Sequence, residues 1–182
     1  MKKILAFAAL CAMFIGCAST PQEKTVNKML EMQKEKTAFI NGGIIAGFGV
    51  GDAATEQMAY DEADLNARAD VGREMESYIG ALFRNYEEQA GKEVVQHQET
   101  VRKNIVSTTL RGATIVKMDM EPVEGGYKVY AVMTVDPSAI KKALEEQLET
   151  AEAAEAEKAR FRASKGYKDL EAAEANYKNL TK

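Results

Sequence analysis

The chain contains no tryptophan, three prolines and a single histidine, His97. With so little Pro and an abundance of Ala, Glu and Lys, the composition favours helices over an all-β design. One His cannot build a multi-histidine metal site. His97-Gln98-Glu99 is a polar stretch in which His97 reads as a surface residue. Cysteine is confined to Cys11 and Cys17, at the end of an N-terminal apolar leader. Cleavage before Cys17 leaves no second Cys, hence no disulfide framework and no thiol catalysis in the mature chain. Basic blocks are missing too. The 24 Lys and Arg against 28 Asp and Glu give a net charge of −4, so nucleic-acid binding by counterion release is not expected. No apolar run reaches the length of about 20 residues that a bilayer core requires. What remains, at 46% hydrophobic content, suffices for one packed domain with extensions.

The leader is the plainest signal. Lys2 and Lys3 form a positive start, and Ile4 to Ile15 is an apolar segment too short to span a bilayer, which reads as a removable signal over residues 1–16. Phe14-Ile15-Gly16-Cys17 resembles the bacterial lipobox, with Phe14 where Leu is usual. That resemblance implies lipidation of Cys17, and acyl chains anchor firmly because each buried methylene contributes about 0.8 kcal/mol. By resemblance to enterobacterial lipoproteins, Ala18 in place of Asp implies export to the outer membrane. Residues 17–41 are expected to be the lipidated N-terminus and a tether. Val26, Met29 and Leu30 make a thin apolar stripe with Met32 off it, and the spacer reading is preferred over a packed helix. Asn41-Gly42-Gly43 ends any helix there.

Residues 42–137 carry the expected domain. From Ile44 to Gly51, Ile44, Ala46, Phe48 and Val50 share one face, and Ile45, Gly47, Gly49 and Gly51 the other. A strand with so bare a face needs another backbone close to it, which makes Gly47, Gly49 and Gly51 the candidate interaction or close-packing positions. They do not form a dinucleotide loop, whose third Gly would fall at position 52, where Asp52 stands. Asp52 or Thr55 is placed to cap the next helix. Tyr60, Ala63, Ala67, Val71, Met75, Tyr78, Leu82 and Tyr86 then recur at helical spacing, with Leu65, Ile79 and Phe83 widening the apolar face. Glu62, Asn66, Asp70 and Arg73 fall opposite. Asp61, Glu62 and Asp64 read as solvated charges. Gly91 is the expected stop. Residues 98–110 are helical in pattern yet strand-friendly at Val106-Ser107-Thr108-Thr109. A hairpin follows. Thr114, Val116, Met118 and Met120 share a face, Glu124-Gly125-Gly126 turns, and Tyr127 to Val135 alternates, so one sheet face is expected to pack on helices and the other to be partly wet. Asp136-Pro137-Ser138 opens a charged helical extension over 138–182, read as a solvated helix of roughly 40 Å followed by a shorter one.

Gly47, Gly49 and Gly51, the helix with Ala59, Ala63, Ala67, Arg68 and Ala69, then Leu110-Arg111-Gly112 and the Tyr127–Val135 strand resemble the LPP-twenty group of bacterial membrane-associated lipoproteins. That group is similar to the N-terminal domain of flagellar assembly protein T. The resemblance spans about residues 40–140 and implies an α+β domain held at a membrane, with no established enzymatic activity. The expected fold is therefore α+β, a small, mostly antiparallel sheet on one long and one shorter helix. The expected function is that of a non-catalytic binding or assembly module in the cell envelope, lipid-anchored through Cys17, with an envelope protein as partner and neither cofactor nor metal. The alternatives are a small-ligand receptor or enzyme built on the glycine strand and the Tyr60, Tyr78, Tyr86 face, or a surface adhesin. The terminal Lys182 also invites comparison with lipoproteins joined to peptidoglycan.

Overall fold

A computed structural model describes residues 21–91 and 93–180. Cys17 and Lys182 lie outside them. The elements run α1 (Pro21–Asn41), β1 (Ala46–Ala53), α2 (Glu56–Ala90), α3 (Gln98–Leu110), β2 (Thr114–Val123), β3 (Gly126–Thr134), α4 (Pro137–Thr150), α5 (Glu155–Arg162) and α6 (Lys165–Leu180). The strands form one antiparallel sheet in the order β1-β3-β2, so the class is α+β. The stretch over 98–110 is a helix.

β3 is central because both its faces are apolar. Val129, Ala131 and Met133 join the main core with α2, while Tyr130 and Val132 meet Met32, Phe39, Phe48 and Val50 on the reverse side. That reverse side is where the sequence reading expected water. α1 covers it instead, so the tether expected over 17–41 is, from Pro21 onward, a helix docked on the sheet. Its buried residue is Met32, while Val26, Met29 and Leu30, the stripe apparent in the sequence, stay exposed. Ion pairs flank this apolar contact. Lys28 reaches Asp119 at 2.6 Å, and Lys117 reaches Glu35 at 2.6 Å.

On the opposite side α2 lies across β1 and β3. Thr55 caps it by accepting from the Met58 N–H, and Gly91, at φ 67°, stops it and donates to the Glu87 carbonyl. The buried row is Ala59, Ala63, Ala67, Val71, Met75, Ile79, Leu82, Phe83 and Tyr86. Ala59 takes the place expected for Tyr60, and Leu65 points to solvent at 66% exposure. α2 does not extend over β2. Val116, Met118 and Met120, expected to pack on helices, are consequently exposed on the edge strand, beside an irregularity between Ile115 and Lys117.

The C-terminal third also departs from expectation. Asp136 and Pro137 start α4 as the sequence indicates, Asp136 accepting from the Ser138 N–H at 2.8 Å. The chain then breaks at 151–154 and returns as α5 and α6 against α2 and α4. Phe161 is fully buried, its ring 5.9 Å from Phe83, 5.2 Å from Tyr86 and 6.0 Å from Tyr167. Charges that read as solvated pair across these helices, Arg162 to Glu145 at 2.6 Å and Lys141 to Glu171 at 2.9 Å. The extension is thus part of the core. Replacing Phe161 by Ala is expected to lower stability by about 3–5 kcal/mol, the usual range for a fully buried Phe, in urea unfolding of the whole chain. A solvated tail would show no such loss.

Candidate functional site

Residues two apart on a strand share a face and lie about 6.7 Å apart, whereas residues four apart on a helix are separated by about 6 Å along its axis. The two repeats nearly match. β1 carries Gly47, Gly49 and Gly51 on the face toward α2, and α2 answers with Ala67, Ala63 and Ala59 in the reverse order. A Cβ at Gly47 would fall 2.5 Å from both the Ala67 carbonyl oxygen and the Val71 nitrogen. At Gly49 it would fall 2.2 Å from the Ala63 oxygen, and at Gly51, 1.9 Å from the Ala59 oxygen. No side chain fits at any of the three. The close backbone approach expected of these glycines is therefore made by α2 itself, with the three alanines fully buried.

A second row on α2, again at four-residue spacing, works on the outer edge of β1. The Phe48 N–H donates to Asp70 Oδ2 at 2.9 Å, Asn66 Nδ2 donates to the Val50 carbonyl at 2.7 Å, and the Asp52 N–H donates to Glu62 Oε2 at 3.0 Å. Phe48, Val50 and Asp52 are the residues whose peptide groups point away from β3, so these side chains stand where a fourth strand would. Glu62 and Asn66 are exposed, in keeping with their place on the polar face, whereas Asp70 is half-buried. Their spacing in register with the alanine row was the signal that finds them.

Asp70 is also where α1 meets α2. Lys36 Nζ lies 2.8 Å from Asp70 Oδ2 and 2.8 Å from Glu74 Oε1, and Arg73 reaches Asp70 Oδ1 at 2.8 Å. Burial opposes the Asp70 charge, yet hydrogen bonds from Lys36 and the Phe48 N–H outweigh it and hold the carboxyl below its ordinary value. Burial likewise opposes the charge on Lys36, but its bonds to Asp70 and Glu74 hold it above its ordinary value. Farther along the row of small residues, Arg68 donates to the Leu110 carbonyl at 2.9 Å and pairs with Asp64 at 3.1 Å, fixing the end of α3.

The tyrosines of the receptor alternative are not gathered into a pocket. Tyr86 is buried against Phe161 and donates to the Glu157 carbonyl at 3.2 Å. The Tyr78 hydroxyl is pushed up to about 12 by burial and then by the charge of Asp169. The cleft bounded by Ile40, Gly43, Ile44, Ile45, Glu74 and Tyr78 holds about 150 Å³, below the range of about 300–1,000 Å³ usual for small-molecule sites. His97 is exposed at the start of α3. Among the described residues no group of His, Cys, Asp and Glu is arranged to hold a metal ion, and no helix is long and apolar enough to cross a membrane.

No protein-family model, no curated protein and no solved structure matches this chain.

Two measurements test the geometry. Gly49→Ala must push backbone apart, so a loss of about 1–3 kcal/mol is expected in urea unfolding. Gly112→Ala meets only an ordinary contact at 3.6 Å and should change stability by less than about 0.5 kcal/mol. Because Asp70 releases its proton more readily in the fold than in the unfolded chain, its stabilisation is whole above about pH 4 and fades as pH falls through its lowered folded value. Lys36, raised in the fold, keeps its contribution until pH climbs past about 10. The urea midpoint of Asp70→Asn should therefore lie below that of the wild type at pH 7, with the gap narrowing at pH 3.

Proposed function

We propose that this chain is a lipoprotein held in the outer membrane by acyl groups on Cys17, its α+β domain facing the periplasm as a non-catalytic binding or assembly module of the cell envelope. The leader and the Gly16-Cys17 junction support the anchor. The observation that carries the non-catalytic reading is the filling of the glycine face by the backbone of α2. The receptor or enzyme alternative drew its ligand site from Gly47, Gly49 and Gly51, and that space is taken.

In this reading the body of the protein sits near the lipid surface. α1 begins at Pro21, four residues after Cys17, and four residues extend at most about 14 Å. Surfaces away from α1 are then those turned toward the envelope space.

Changing Cys17 to Ala is expected to abolish labelling by palmitate and to shift the chain from the outer-membrane fraction to the soluble one. Retention in the outer membrane with label incorporated would overturn the anchor. For the domain, thermal melting with nucleotides and monosaccharides is expected to show no saturable shift. A shift with either returns the receptor reading to first place.

A further inference from the structure

We propose that β2 pairs with β2 of a second copy of this chain, antiparallel about a twofold axis at Met118, giving a continuous six-stranded sheet. The inference rests on the sheet and does not require the lipid anchor.

The two edges of the sheet differ. That of β1 is closed by Glu62, Asn66 and Asp70. On the other side, β3 uses Val132, Tyr130 and Lys128 to pair with Lys117, Asp119 and Glu121 of β2. The peptide groups of Met118 and Met120 therefore point outward. Among the described residues no strand lies beyond them and no side chain bonds to them. Val116, Met118 and Met120 are 36%, 46% and 36% exposed, an apolar strip on an open edge. The irregularity after Ile115 bounds this edge at one end, and Pro122, which has no N–H to give, bounds it at the other.

Charge selects both the occupant and the register. An axis at Met118 sets Lys117 of each copy opposite Asp119 of the other. An axis at Lys117 sets Lys on Lys, one at Asp119 sets Asp on Asp, and one at Met120 sets Asp119 against Glu121. Like charges directly opposite destabilise a pair of strands and unlike charges favour it. The segment is thus complementary to itself in one register. α1 already holds these charges over the strand, Lys28 on Asp119 and Glu35 on Lys117, so pairing extends an alternating row from Lys28 and Asp119 of one copy to Lys117 and Glu35 of the other. The assembly also stops at two, because the outer strands of the joined sheet would both be β1, whose edges are closed.

Met118→Cys in the full-length chain tests this in cells. In a hydrogen-bonded antiparallel pair the facing Cα atoms are about 5.5 Å apart, within the span of a disulfide. Mild oxidation should give a disulfide dimer with Met118→Cys and none with Leu65→Cys, an exposed position on α2, nor with the unaltered chain. Adding Lys117→Glu to Met118→Cys should lower the dimer fraction, and adding Asp119→Lys as well should restore it. A Met118→Cys chain that stays monomeric, crosslinks no more than Leu65→Cys, or joins a different protein instead would overturn the proposal.

Discussion

Strand β1 and helix α2 meet mainly through peptide groups from Gly47 to Gly51, with the Val71 side chain reaching in at Gly47. That contact fixes how the helix lies on the sheet, because sliding it would drive alanine methyl groups or carbonyl oxygens into the strand. With α2 fixed, its neighbouring row of Glu62, Asn66 and Asp70 falls on the outer edge of β1. Its far half projects past the sheet, where Phe83 and Tyr86 offer a surface to Phe161. The C-terminal helices therefore have a place to return to only because the glycine strand lets α2 lie so close.

The α1 layer adds charge pairs to a small apolar contact. α1 buries Met32 and little else of its hydrophobic content, yet it spans the reverse face of the sheet by pairing Lys28 with Asp119, Glu35 with Lys117, and Lys36 with Asp70. Exposed ion pairs are individually weak, but these join a helix to two different elements at once. Arg162 does the same for α5, bonding Glu145 and Glu149 of α4.

Much of this is legible in the sequence. The two-residue glycine repeat and four-residue alanine repeat are local patterns with one physical meaning, and both were read. The hairpin and the Gly91 stop announce themselves through turn and cap chemistry. The charges that bridge elements are not legible as such, although Asp61, Glu62 and His97 are exposed as the sequence implies. Lys28, Lys36, Asp70 and Arg162 are ordinary surface charges in any window of sequence, and their partners lie from three to ninety-one residues away. Hydrophobic periodicity could not place α1 either, since its visible stripe of Val26, Met29 and Leu30 is the exposed one. The reach of α2 was equally hidden, and with it the exposure of Met118 and Met120.

An interface made almost wholly of main chain limits what can be substituted there. Where two surfaces meet through ordinary residues, a change on one can be answered by a change on the other. At Gly47, Gly49 and Gly51 there is nothing smaller to exchange for, and the opposing atoms are main chain apart from the Val71 methyl group at Gly47. Any side chain added at this seam must move backbone, whereas the exposed side chains of α1, β2 and the C-terminal helices can change without doing so.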